Sequence, residues 1–167
     1  MTTQTSHSDA GGARTRRDFL KMGWGLLAGA AALEAGLAAV QFSLPRVAAG
    51  EFGGMFACGP AADFPPNSVT PFNAGRFYLV RAADGGFLAL YRRCTHLGCA
   101  VPWDPSANQF VCPCHASAFD QAGQVLNPPA PRPLDRFAVS LVDGQVFVDT
   151  SRPLERERFD PSQLVYA

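Results

Sequence analysis

The 167-residue chain carries no net charge, because 14 basic residues balance 14 acidic ones. It therefore offers no electrostatic footprint for a phosphate backbone, and nucleic acid is excluded as a partner. Beyond residue 45 it also lacks any amphipathic helical period of useful length, so the bulk of the chain is not a helical bundle. Apart from two short, related loops of cysteine and histidine there is no internal repeat, which leaves no place for a solenoid. Apolar residues are not scarce. At 47% they supply one core of ordinary size, with an appendage.

The charge is unevenly placed. Arg14, Arg16, Arg17 and Lys21 gather before a long apolar run, and TRRDFLK (15–21) resembles a twin-arginine export signal. Residues 1–21 are thus read as a cytoplasmic n-region. The run MGWGLLAGAAALEAGLAAV (22–40) has 19 residues. As a helix it measures about 28 Å, close to the hydrocarbon thickness of a bilayer and longer than a secretory apolar region of about 7–15 residues. An uncleaved transmembrane anchor over 22–44 is favoured; the competing reading is cleavage after Val47-Ala48-Ala49, leaving a soluble protein. Glu34 inside the span costs about 2.5–3.5 kcal/mol and calls for neutralisation or a partner. Gly25 and Gly29 at GxxxG spacing, with Ala28, Ala32 and Gly36 on a neighbouring stripe, would let a second helix approach, although small residues make up most of the segment. The basic flank places the N-terminus in the cytoplasm and the rest of a single-pass membrane protein on the periplasmic side.

PRVAAGEFGG (45–54) has no hydrophobic period and reads as a flexible linker. Strand and turn signals follow. RFYLV (76–80) and FLALY (87–91) flank Asp84-Gly85-Gly86, and in RFAVSLVDGQVFVD (136–149) an alternating run turns at Asp143-Gly144 into Val146 and Val148; both predict β-hairpins. The expectation is a mainly antiparallel β domain over 55–150, preceded by one N-terminal transmembrane helix. Residues 151–167 are expected to be a polar C-terminal tail with a solvated ERER run.

Between the hairpins, CTHLGC (94–99) and CPCHAS (112–117) place four thiols and two imidazoles in 22 residues, more donors than one tetrahedral ion takes. Each loop has a cysteine close before a histidine: Cys94 with His96, and Cys112 with His115. Each also has a further cysteine, Cys99 or Cys114, at what read as matching places, and an exported protein lives where disulfides persist. A zinc site of two cysteines and two histidines leaves that second pair unexplained.

These paired motifs resemble the Rieske iron-sulfur family, in particular its quinol-oxidising branch, over about residues 55–150. The resemblance implies one [2Fe-2S] cluster per chain, with one iron on Cys94 and Cys112 and the other on His96 and His115. It also implies a Cys99–Cys114 disulfide pinning the loops, and a Ser117 hydroxyl bonded to a bridging sulfide. Leu97 is placed as an apolar shield, and His115, with His96 beside it, as the hydrogen-bonding partner of quinol. Neutral imidazoles in place of two thiolates remove negative charge and raise the potential enough for quinol to be the donor, and they couple the electron to a proton. Phe119 stands where the family often has a tyrosine donating to a cysteine sulfur, which predicts a lower potential suited to menaquinol. Ala116 and Pro128 stand where glycines are usual, the latter in PPAP (128–131), which resembles the loop closing over the cluster. Cys58 has no partner and reads as a small buried apolar residue.

The function implied is that of the redox subunit of a quinol-cytochrome c oxidoreductase, a translocase of the cytochrome bc type. It would take one electron and a proton from quinol at a cytochrome b subunit and pass the electron to a c-type cytochrome or equivalent. The alternative is the Rieske small subunit of a periplasmic molybdenum oxidase such as arsenite oxidase.

Overall fold

A computed structural model describes residues 15–44 and 50–166, in two units. Arg14, the cleavage motif Val47-Ala48-Ala49 and Ala167 lie outside the described residues. The first unit is one helix, α1 (Arg16–Ser43), of 28 residues. It starts six residues earlier than the apolar run because Thr15 and Asp18 form a capping box: the Thr15 hydroxyl accepts from the Asp18 N–H at 3.2 Å, and the Thr15 N–H donates to the Asp18 carboxylate at 3.2 Å. The twin arginines therefore form its first turn. It ends at Leu44, whose extended backbone is what the following Pro45 imposes. At about 42 Å the helix is long and apolar enough to cross a membrane, and none of its residues is buried within the protein.

The second unit contains ten strands: β1 (Met55–Pro60), β2 (Ser68–Phe72), β3 (Phe77–Arg81), β4 (Phe87–Tyr91), β5 (Trp103–Asp104), β6 (Gln109–Val111), β7 (Ala118–Phe119), β8 (Val125–Asn127), β9 (Arg136–Val142) and β10 (Gln145–Leu154). Six form an antiparallel sheet in the order β1-β10-β9-β4-β3-β2, and the four short ones form a second sheet, β5-β6-β7-β8. Both predicted hairpins are present as β3–β4 and β9–β10. Asp143 and Gly144 hold left-handed backbones at the second turn, the conformation a two-residue hairpin needs. Pro71, which cannot donate to a ladder, lies in the edge strand β2.

The β3–β4 hairpin is the spine, because its alternating side chains feed two cores. Phe77, Leu79, Phe87 and Ala89 join Phe56, Phe137 and Val148 on one face. Tyr78, Val80, Leu88 and Leu90 face the small sheet and pack with Cys94, Val101, Phe110, Cys112, Phe119 and Leu134. The cysteines that open the two loops are thus part of a hydrophobic core.

Two sequence expectations change. The second half of the expected linker, residues 50–54, belongs to the domain: Phe52 stacks on Tyr91, and Gly53 and Gly54 are bonded to Thr150. The expected polar tail also folds back. Val165 pairs with Phe87, and Arg156, inside the ERER run, is only 7% exposed. Its guanidinium donates to the carbonyls of Leu134 and Ala122 and to the Gln163 side chain. Burial pulls its pKa down to about 10, with Asp120 acting against the fall. Cys58 is half-buried rather than buried, and burial pushes its thiol up to about 12.

Candidate metal centre

The thiols and imidazoles sit on two loops built to one backbone plan. In loop 1, between β4 and β5, the Cys94 N–H donates to the Cys99 carbonyl at 2.8 Å and the Gly98 N–H donates to the Cys94 carbonyl at 2.9 Å. In loop 2, between β6 and β7, the Cys112 N–H donates to the Ser117 carbonyl at 2.8 Å and the Ala116 N–H to the Cys112 carbonyl at 3.0 Å. Gly98 (φ +82°) and Ala116 (φ +58°) hold the same left-handed place. Glycine adopts it freely, whereas alanine bears a cost of about 1 kcal/mol. Loop 1 needs its glycine for space as well, since a Cβ there would lie 2.8 Å from Arg93 Nε.

Counting from each opening cysteine, His96 corresponds to Cys114, Leu97 to His115, and Cys99 to Ser117. The expectation that Cys99 and Cys114 occupy matching places is thus corrected. They nevertheless meet, in a disulfide that closes a separation of 15 residues. The Cys112 sulfur lies within 4.8 Å of both disulfide sulfurs, but these are bonded to each other and do not make a three-thiol site with it.

The donors left over are arranged by polarity. Cys94 and Cys112 are 3% and 2% exposed and carry free thiols next to each other. His96 is half-buried and His115 exposed; their rings stand edge to face, 4.9 Å between centroids. Burial pushes the Cys94 thiol up, the His96 backbone N–H pulls it down, the Cys112 thiol pushes it up again, and the Ser117 hydroxyl pulls it down. Two donors thus aim at a sulfur whose deprotonation burial opposes. Ser117 is fully buried, and its oxygen also accepts from the Ala130 N–H at 3.0 Å, so its hydrogen remains for sulfur.

That acceptor bond ties loop 2 to the segment 128–131, which contains a cis Pro128–Pro129 peptide. Asn127 reinforces the tie by donating to the Ala116 carbonyl at 2.9 Å and the Pro128 carbonyl at 3.1 Å. Loop 1 is tied to the residue just after that segment: the Thr95 hydroxyl donates to the Arg132 carbonyl at 2.6 Å, and Arg132 is ion-paired with Asp135 and Glu155. Leu97 is 70% exposed beside His96, which excludes a core role for it, while Phe119 is fully buried in the core that holds both cysteines.

Sequence reasoning missed Thr95, Asn127 and Arg156. Thr95 lies inside CTHLGC and was legible as a polar residue in a tight loop; the other two gave no local signal. A cavity of about 480 Å³ against Phe159 and Leu164 contains no thiol or imidazole and has no part in this chemistry.

Two buried thiols side by side, two imidazoles at the surface beside them and hydrogen-bond donors aimed at sulfur fit a cluster whose two irons take unlike ligands. The family model described as the Rieske [2Fe-2S] domain matches residues 54–138. The chain belongs to the Rieske family. Its cofactor is accordingly a [2Fe-2S] cluster. It is 35% identical to the cytochrome b6-f complex iron-sulfur subunit of Parasynechococcus marenigrum over 87% of this chain and 90% of that one. It is 32% identical to the subunit of the same name from Chlorobaculum tepidum over 80% and 74%. Among solved structures, the plasma-membrane Rieske protein of Synechocystis is 31% identical, covering 56% of this chain and 97% of that one with a TM-score of 0.46.

Proposed function

We propose that the chain is the iron-sulfur subunit of a membrane complex of the cytochrome bc or b6-f type, carrying electrons from quinol to a c-type cytochrome or equivalent. The observation that carries this reading is the polarity of the site: buried thiols behind, and an exposed His115 imidazole beside His96 and Leu97 in front. Cys94 and Cys112 would hold one iron, and His96 and His115 the other. When bound, the cluster accepts and releases a single electron.

The chain's own residues supply the rest. His115 presents an accessible ring nitrogen to a quinol hydroxyl and takes up its proton as the electron leaves. Leu97 offers the ring of a quinol an apolar surface. The disulfide, Ser117 and the 128–131 segment hold both loops so that the imidazoles keep their place. Relatives that are subunits of cytochrome complexes, together with the apolar helix, support attachment to a cytochrome b-type subunit. In this reading residues 1–21 stay in the cytoplasm, α1 crosses the membrane, and the β domain faces the periplasm. The molybdenum-oxidase alternative finds no support among the relatives named above.

Purification of the full chain from its native membranes tests the proposal. Co-purification with haem-bearing b- and c-type subunits and reduction by added quinol, lost in His115→Gln, is the expected outcome. Co-purification with a molybdenum-cofactor subunit alone would overturn it.

A further inference from the structure

Helix α1 runs unbroken from Arg16 to Ser43, so a rotation of about 100° per residue fixes which side chains share a face. Trp24 stands three residues beyond Lys21, where an indole marks the headgroup level of a spanning helix. Glu34 lies ten residues further on, about 15 Å along the axis and so near the middle of a hydrocarbon core about 30 Å thick. Its neighbours one turn away are Ala30, Ala31, Leu37 and Ala38, and the nearest cation of the helix, Lys21, is about 20 Å distant. The helix cannot neutralise this carboxylate by itself, and leaving it in lipid is costly.

Gly25, Gly29, Ala32 and Gly36 lie about 140–180° around the helix from Glu34. The small-residue stripe and the carboxylate therefore occupy opposite sides. Two copies packed through the stripe would leave both carboxylates in lipid, and two copies packed through the other side would set them against each other. A second copy is thus a poor partner for the carboxylate side. Gln41 lies about 20° from Glu34 on that side, one heptad later. Gly23, Leu27, Ala30, Glu34, Leu37 and Gln41 recur at alternating steps of four and three, the seam that a second helix crossing at about 20° follows. Ala30 and Ala38, one turn before and after Glu34, are short and leave a notch for a long side chain.

We propose that this seam docks α1 on a membrane helix of a partner subunit whose Lys, Arg or His side chain enters the notch and pairs with Glu34. Gln41 hydrogen-bonds to the same helix nearer the membrane surface. The proposal rests on the reading of the chain as a subunit of a membrane complex. An opposite charge is the partner that offsets taking a carboxylate out of water, and two polar residues on one seam fix the register of the two helices.

The test uses the full chain in its native membranes, with photoreactive benzoylphenylalanine placed at position 27 or 37 and, as control, at position 40, about 120° away from Glu34. Cross-linked peptides are identified by mass spectrometry. Links from 27 and 37, but not 40, to one membrane segment carrying a basic residue are expected. Links from 27 and 37 to a second copy, to lipid alone or to a segment without a basic residue overturn the proposal. Links to a basic segment of a subunit that holds no b-type haem would sustain the seam and overturn the function proposed above. A second arm measures how much partner stays bound as the detergent-solubilised complex is diluted. Glu34→Leu and Glu34→Gln should each weaken the association by about three- to tenfold, and Glu34→Lys by more, while Gly36→Ala on the opposite side changes it less than about twofold. Gln imitates a protonated carboxyl, so an association unchanged in Glu34→Gln would overturn the ion pair.

Discussion

Loops 1 and 2 share their hydrogen-bond frame but fill it differently. Both open on a buried cysteine and both turn through a left-handed residue four places along, yet the second histidine is displaced by one position relative to the first. That offset makes room for Cys114 where loop 1 has His96, and it sets a disulfide partner opposite Cys99. The repeated frame fixes where the two buried thiols lie, while the differences decide what faces solvent and what joins the loops.

Removing what the loops share has the largest effect. Cys94→Ser, Cys112→Ser, His96→Gln or His115→Gln should each abolish the cluster, read as loss of visible absorbance and of iron per chain. Breaking the link between the loops comes next. Cys99→Ser or Cys114→Ser removes a closure of 15 residues, worth about 3 kcal/mol on a chain-entropy estimate. The cluster should assemble but bleach at lower denaturant concentration than wild type; a variant as robust as wild type would count against a stapling role.

The third comparison sets the tie of loop 2 against that of loop 1. Ser117→Ala leaves the buried Ala130 N–H unpaired at about 1–3 kcal/mol, and it removes a donor to sulfur, so both melting temperature and potential should fall. Thr95→Val, at a partly buried site, should cost only about 1 kcal/mol and leave the potential near that of wild type. Fourth, Phe119→Tyr offers sulfur a hydroxyl. One net hydrogen bond of about 1 kcal/mol corresponds to roughly 40 mV, so a redox titration should show a rise of that size; no rise, with the hydroxyl placed at the sulfur, would sink this account of the tuning.

The smallest effect reads the left-handed position itself. Ala116→Gly relieves strain but frees the unfolded chain, for a net change of about 0–1 kcal/mol. Gly98→Ala adds strain and displaces Arg93, so it should cost at least about 1 kcal/mol in thermal or denaturant unfolding. Equal responses would mean that the two loops are interchangeable after all.

Where local chemistry repeats in sequence, the structure was legible. The hairpins announced themselves through alternation and Asp-Gly turns, and the loops through their cysteines and histidines. The four short strands β5–β8 did not, because two or three residues carry no readable period. Arg156 was read as solvated since ERER has the pattern of an exposed run; only the carbonyls of Leu134 and Ala122, brought to it by the fold, make its burial tolerable. Cys99 and Cys114 were legible as a pair; their unlike places, five and two residues after the opening cysteines, stand in the spacing too, and reading both loops as one motif hides them.

The fold is closed by its ends. β1 pairs with β10, Val165 pairs with Phe87, and Arg156 fastens Leu134 behind the segment that covers both loops. Of these closing elements, Arg156 and Val165 follow both cysteine loops in the chain. A chain cut back to residue 150 keeps both cysteine loops but loses the latch behind them, so the backing of the site depends on a segment that lies outside both of them.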